Sequence, residues 1–150
     1  MEQADLTAQI QRLADIEAIK QLKYRYIRLV DARRFEAWGE QSLTEDCDLS
    51  TTDLGDWKGR DNIVAAVTRA YGSCRTIHHV HMPEISITGP DTARGVWALD
   101  DYSTWVADGA QVIDWGRGCY EEDYVRTDQG WRIRRTILTR QSLGAPSHPR

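Results

Sequence analysis

The sequence lacks the features that announce the commonest cofactor and nucleophile sites. It contains no GxGxxG following a strand, no GxxxxGK[ST], no GxSxG and no HExxH. These absences argue against dinucleotide chemistry, nucleotide hydrolysis, serine hydrolysis of the common kind and zinc proteolysis. Cysteine is scarce: Cys47, Cys74 and Cys119 lie far apart with no CxxC spacing, which is no disulfide framework and suits a reducing, cytoplasmic setting. No apolar run approaches the ~18 to 20 residues of a membrane span. The amino terminus, Met1-Glu-Gln-Ala-Asp, is acidic where a secretory signal is basic and then greasy. A net charge of −4 and a pI near 5.5 argue against sequence-independent binding to nucleic acid or anionic lipid. Phenylalanine is nearly missing, one residue against six Trp and six Tyr. Those two aromatics carry a polar handle, as a wall that is apolar yet hydrogen-bonds requires, although packing alone accounts for them equally well.

What is present suffices for one domain: 150 residues, 41% hydrophobic and 28% charged. The first third reads as helix. Leu6, Ile10 and Leu13 share a face, Asp15 is placed to cap a second run, and Ile16, Ile19, Leu22, Tyr26 and Val30 recur at helical spacing to about residue 33. A shorter helix carries Phe35, Ala37, Trp38 and Gln41. Residues 47–52 read as a short strand ended by Asp53-Leu-Gly-Asp. A third helix begins after Gly59, capped near Asp61, and buries Ile63, Val64, Val67 and Tyr71. From Thr76 the grammar changes to strands at about 76–88, 93–106, 112–127 and 131–140, parted by Gly89-Pro90-Asp91, Asp108-Gly109 and Asp128-Gln-Gly130. Helices first and long strands afterwards predict an α+β fold, with helices packed into the concave side of a curved antiparallel sheet and a pocket between the layers. The tail from Gly144 reads as loose, with His148 solvated.

Three of the four histidines fall in Thr76-Ile-His78-His79-Val-His81. On a strand His79 and His81 share one face, and His78 shares the other with Val80 and Met82. A metal reading needs a third ligand that no second motif supplies, so a solvated or subunit-facing pair fits His79 and His81 better. His78 is the one with apolar company, and it needs a partner. Asp31, at the end of the long helix, continues the face of Ile27. There it meets the negative end of the helix dipole, which a nearby histidine would relieve. The alternative is a surface pair with Arg28, Arg33 or Arg34, and periodicity does not choose. In Trp97-Ala-Leu-Asp100-Asp101, one acid must face inward if both sheet faces are covered. Arg132, Arg134 and Arg140 share a strand face that reads as surface charge.

Taken in order, Ile16-Glu-Ala-Ile-Lys-Gln-Leu-Lys, Tyr26…Asp31, His78-x-x-His81-x-Pro-Glu-Ile, Gly95-x-Trp97-x-Leu-x-Asp101, Gly130-Trp131-x-Ile133 and Arg140 resemble the SnoaL-like branch of the NTF2-like superfamily, over about Ala14 to Arg140. The pattern most resembles bile-acid 7α-dehydratases, with scytalone dehydratases and hexachlorocyclohexane dehydrochlorinases more distant. The resemblance implies a cone-shaped α+β barrel, an Asp31–His78 dyad, and pocket positions at Tyr26, Asp101 and Arg140. It chooses His78 over its neighbours and Asp101 over Asp100. Thr51 stands where the bile-acid enzymes carry a pocket tyrosine. Tyr26 and Asp31 lie about 140° apart around a regular helix while Tyr24 is nearly in line with Asp31, so Tyr24 joins the pocket candidates, as Trp97 does as a wall.

The expectation is therefore a cofactor-independent and metal-free lyase acting on an apolar cyclic, steroid-like or polyketide-like substrate. His78 moves the proton, Tyr26 stabilises an enolate oxygen, and Asp101 and Arg140 hold substrate or each other. Isomerisation, epoxide opening and non-catalytic ligand binding are the alternatives for the same pocket. The resemblance also implies a homotrimer joined through the outer face of the sheet.

Overall fold

The computed structural model describes residues 3–144. The tail beyond, with His148, lies outside the described residues. Among the described residues three helices, α1 (Gln3–Asp31), α2 (Phe35–Ser42) and α3 (Arg60–Tyr71), pack on a six-stranded curved sheet of β1 (Leu43–Thr51), β2 (Gly55–Lys58), β3 (Arg75–Gly89), β4 (Thr92–Ala107), β5 (Ala110–Thr127) and β6 (Gly130–Ser142). The sheet order is β2-β1-β6-β5-β4-β3, an α+β architecture that does not close into a full barrel. Each of the four long strands expected after Thr76 is present. Asp108 and Gly109, at φ 51° and 77°, close β4 onto β5 through a two-residue turn with Ala107 opposite Ala110. Two successive positive φ values are what lets such a turn follow the sheet's twist.

Three features differ from expectation. First, α1 is continuous, because nothing between Gln3 and Asp31 is Pro or Gly and a helix without a breaker has no reason to stop. Asp15 is therefore not a cap; its side chain turns inward, and Leu6, Ile10 and Leu13 stay exposed. Second, the sheet is not wholly antiparallel: β1 runs parallel to β6, with Leu49 opposite Thr136 and Thr51 opposite Leu138. The expected turn Asp53-Leu-Gly-Asp is shorter than predicted, because Gly55 and Asp56 already belong to the edge strand β2. Third, Met82 does not share the face of His78 and Val80. The β3–β4 register shifts between His81 and Glu84, and Met82, at φ 49°, is turned out to solvent.

The main core joins Ile19, Leu22, Ile27 and Val30 of α1 to Phe35, Trp38, Ile63 and Val67 of the other helices and to Leu43, Leu49, Tyr124, Trp131 and Ile133 of the sheet. A second cluster of Trp97, Leu99, Tyr120 and Leu138 lines the middle of the sheet. The candidate site lies where α1 ends between these layers.

Candidate active site

The end of α1 aims Asp31 at β3. The helix terminates in a Schellman turn: Arg34 N donates to Leu29 O at 2.9 Å and Arg33 N to Val30 O at 2.8 Å, with Arg33 at φ 56°. Asp31 is thus held in the last regular turn, and its carboxylate collects three donors from β3. Thr76 Oγ1 donates to Oδ1 at 2.9 Å, the His78 backbone N–H donates to Oδ2 at 2.9 Å, and His78 Nδ1 lies 2.6 Å from Oδ1. A carboxylate so placed accepts, so Nδ1 carries the proton and Nε2 is the ring atom left for a ligand. The His78 side chain is 10% exposed.

His78 lines a cavity with Tyr26, Trp38, Thr51, Leu54, Tyr71, Tyr120, Thr136 and Leu138 among its walls. Its interior leaves about 40 Å³, room for a few waters at most. Leu54 and Tyr71 also line a neighbouring cleft that holds Arg140, of about 390 Å³, so these two side chains form the partition between the spaces. Three phenols face the cavity, and all stay protonated at neutral pH. Burial raises Tyr26 and Tyr120 well above the ordinary tyrosine value, with the Glu122 carboxylate adding to it. Burial and the charge of Asp53 push Tyr71 up to about 12. The indole Nε1 of Trp38 is buried without a hydrogen-bond partner among the described residues. Among the described residues no three His, Cys, Asp or Glu side chains form a metal-ligand set.

Asp101 lies opposite His78 in the β3–β4 register and is 2% exposed. It does not line the cavity. Arg140 grips it instead: Nε donates to Oδ1 at 3.0 Å and Oδ2 at 2.8 Å, and Nη2 donates to Oδ1 at 2.6 Å. The remaining arm of Arg140 reaches Asp114 at 3.1 Å and Asp53 at 3.4 Å. Arg140 is therefore no surface charge but the hub of three carboxylates, whose hydrogen bonds, led by those of Asp101, fix its positive charge even more firmly than usual. It can lie there because Gly116 is beneath it. A Cβ at that position would stand 2.7 Å from the guanidinium carbon. His79 and His81 are on the other face, His81 Nε2 lying 3.1 Å from Asp100 Oδ2. Asp100 thus belongs to the outer surface and Asp101 to the interior.

Comparison with known proteins assigns the architecture. The SnoaL-like domain family matches residues 11–137. This chain belongs to that family. Among solved structures, a Novosphingobium aromaticivorans protein assigned as a scytalone dehydratase superposes with a TM-score of 0.77 at 21% identity, covering 93% of this chain and 91% of that one. The hexachlorocyclohexane dehydrochlorinase LinA-type3 of Novosphingobium barchaimii gives 0.78 at 17%, covering 93% and 96%. An NTF2-like protein with a cystatin-like fold from Novosphingobium aromaticivorans gives 0.69 at 24%, covering 97% and 93%. At these identities the likeness is one of fold.

Within this SnoaL-like domain two further expected pocket residues, besides Asp101 and Arg140, lie outside the cavity. Tyr24 does not line the cavity; it packs edge-on against Trp97, ring centres 6.2 Å apart. Trp97 is wholly buried in the sheet's own cluster and donates from Nε1 to Tyr124 Oη at 2.9 Å. Tyr26 reaches the cavity because the site wraps the flank of α1 along with Ile27 and Val30. Sequence reasoning missed Lys23 and Glu122, 0% and 3% exposed, whose Nζ and Oε1 meet at 2.6 Å. The signal was there: Lys23 sits four residues from both Ile19 and Ile27, inside the apolar stripe, and Glu122 alternates with Tyr120 and Tyr124 on an inward strand face.

Proposed function

We propose that this SnoaL-like protein is a cofactor-independent lyase that eliminates water, or another small leaving group, from an apolar cyclic substrate. The observation that carries the reading is the 2.6 Å contact of His78 Nδ1 with Asp31 in the wall of a largely apolar cavity. A dyad of this form fixes the ring's tautomer and leaves Nε2 free to accept a proton. In the elimination, Nε2 takes the proton from the carbon beside a carbonyl, and the electron pair moves onto the carbonyl oxygen. Tyr26 donates to that enolate oxygen. When the carbonyl re-forms, the β-hydroxyl leaves with the proton His78 had taken, as water. Asp101 is occupied by Arg140, so its part is to hold Arg140. A scytalone dehydratase and a dehydrochlorinase among the structural neighbours are both named for eliminations, which supports the class of reaction. The cavity is narrow at rest, and on this reading a substrate would enter it from the neighbouring cleft, where Leu54 and Tyr71 line both spaces.

A thermal-shift screen of steroids and aromatic polyketides, followed by mass analysis of each stabilising compound, tests this. The expected product has lost one water, and His78→Ala and Asp31→Asn lower its formation by about 10²- to 10⁴-fold. A product of unchanged mass, a product that has gained water, or a ligand returned unaltered would replace elimination by isomerisation, epoxide opening or simple binding. We also assign the outer face of the sheet, where Ile77, Val96, Tyr102, Val106 and Ile113 are exposed, to contact between copies of the chain. Light scattering of the purified protein is expected to give a trimer, and a monomer at micromolar concentration removes that assignment.

A further inference from the structure

The elimination above uses one phenol, and the cavity wall contains a second set beside it. Tyr26 and Tyr120 meet edge-on, ring centres 6.2 Å apart and planes at 78°, and both line the cavity that His78 lines. Behind them lies the Lys23–Glu122 pair. Glu122 Oε1 accepts from Lys23 Nζ at 2.6 Å and from Thr136 Oγ1 at 3.0 Å, while Oε2 accepts from the Tyr124 hydroxyl. The ammonium is the member of the pair set against both rings, 3.4 Å from the centre of Tyr120 and 4.2 Å from that of Tyr26.

A buried ion pair is no economical way to hold a core together, since apolar side chains of the same volume do as well or better. Its placement therefore needs a reason. A cation on the face of a phenol withdraws density from the ring, which works against the effect of burial and Glu122 and makes the hydroxyl a better donor than the apolar wall alone would leave it. The two protonated phenols also hydrogen-bond to one another, and a pair of linked phenols set against one ammonium is suited to receive an oxygen that becomes anionic during reaction.

We infer that Tyr120 is a second catalytic donor, acting with Tyr26 on the same developing oxyanion, and that Lys23, held by Glu122, is the positioning residue that polarises both rings. This rests on the elimination reading for its role in turnover, and it narrows the substrate class to carbonyl compounds whose reaction passes through an enolate. The phenol pair itself is testable without a substrate.

The probe is 4-nitrophenol, whose anion imitates an enolate and absorbs apart from the neutral form. It is titrated at a pH where the free probe is mostly protonated, against wild type, Tyr120→Phe and the double variant Lys23→Met/Glu122→Leu. The double variant removes the charges together, so neither is left buried alone. Wild type is expected to bind the probe as the anion. Tyr120→Phe is expected to weaken that binding about 10- to 100-fold, as loss of one hydrogen bond to a charged group does. The double variant keeps its fold by circular dichroism but binds the probe as the neutral phenol. A merely structural pair would leave the spectrum of the bound probe unmoved. The same series is run in His78→Ala, because a protonated imidazole also favours the anion, and the Tyr120→Phe effect is expected to persist there. Failure of wild type to bind the anion, or equal binding and spectra in all variants, overturns the inference. Neither result depends on turnover, so loss of the elimination reading and loss of the phenol pair show up in separate measurements.

Discussion

Asp15 and Asp31 are both inward carboxylates on α1, and they sit in opposite kinds of surroundings. Asp15, 5% exposed, accepts from Arg126 Nη2 at 2.7 Å, Gln11 Nε2 at 3.1 Å and Trp131 Nε1 at 3.2 Å. Burial works to raise its pKa, but these hydrogen bonds outweigh it and hold Asp15 below the usual carboxylate range. None of those donors can give up its proton near neutrality, so Asp15 is a fixed anchor between helix and sheet. Asp31 has as many donors, yet one of them is an imidazole whose far side opens on a cavity. The difference lies in the partner, not in the acid: permanent donors make a joint, and an imidazole that opens on a cavity gives the proposed proton transfer its place.

The largest effects separate the two by function. Asp31→Asn is expected to cost turnover by the factor given above while shifting the denaturation midpoint little. Asp15→Asn should leave turnover within a few-fold and lower stability by about 1 to 3 kcal/mol. Equal losses of activity in both would erase the distinction. Next comes the third inward acid, Asp101. Arg140→Leu strands it without a partner in the interior, which costs about 3 to 5 kcal/mol by urea denaturation. Gly116→Ala, with its Cβ against the guanidinium, should lose about 1 to 3 kcal/mol while the Asp101–Arg140 pair shifts sideways. An unchanged midpoint for Gly116→Ala would mean that Arg140 does not need the bed. The smallest effect is in pH. Because the folded state holds Asp15 below its ordinary value of 3.8, the folded form binds its proton less readily than the unfolded chain. Its contribution is complete above that value and fades as pH falls through the lower folded value. Asp15→Asn should therefore flatten the acid limb of the stability curve and leave the limb above pH 5 parallel to wild type.

The long strands after Thr76 were legible because alternation and turn residues are local signals. Asp108-Gly109 states its turn in two letters. The direction of β1 was not legible, since a strand of alternating residues reads the same whether its neighbour runs up or down. The continuity of α1 was misread because Asp15 has the chemistry of a cap, and only the distant Trp131 and Arg126 show why it faces inward. Asp31 and His78 each read as ambiguous alone, and it was the resemblance that paired them. Tyr24 and Tyr26 were ordered by an ideal helical wheel, which assumes a cavity on one side of the helix and not around its flank. Lys23 and Glu122 escaped because a lone charge in an apolar stripe is ordinarily read as solvated. Each becomes interpretable only when its opposite is known to arrive from another element.

The parallel pairing of β1 with β6 has a consequence for the order of assembly. Leu49 and Thr51 stand beside Thr136 and Leu138 in one wall of the cavity, yet α3 and the β3–β5 meander are synthesised between them. Local hairpins close early and contacts between distant stretches of chain close late. The chamber that holds the imidazole is thus among the last parts to form, when the final strand slides in beside the first. A nascent chain can own nearly all its secondary structure and still have nowhere for a ligand to go.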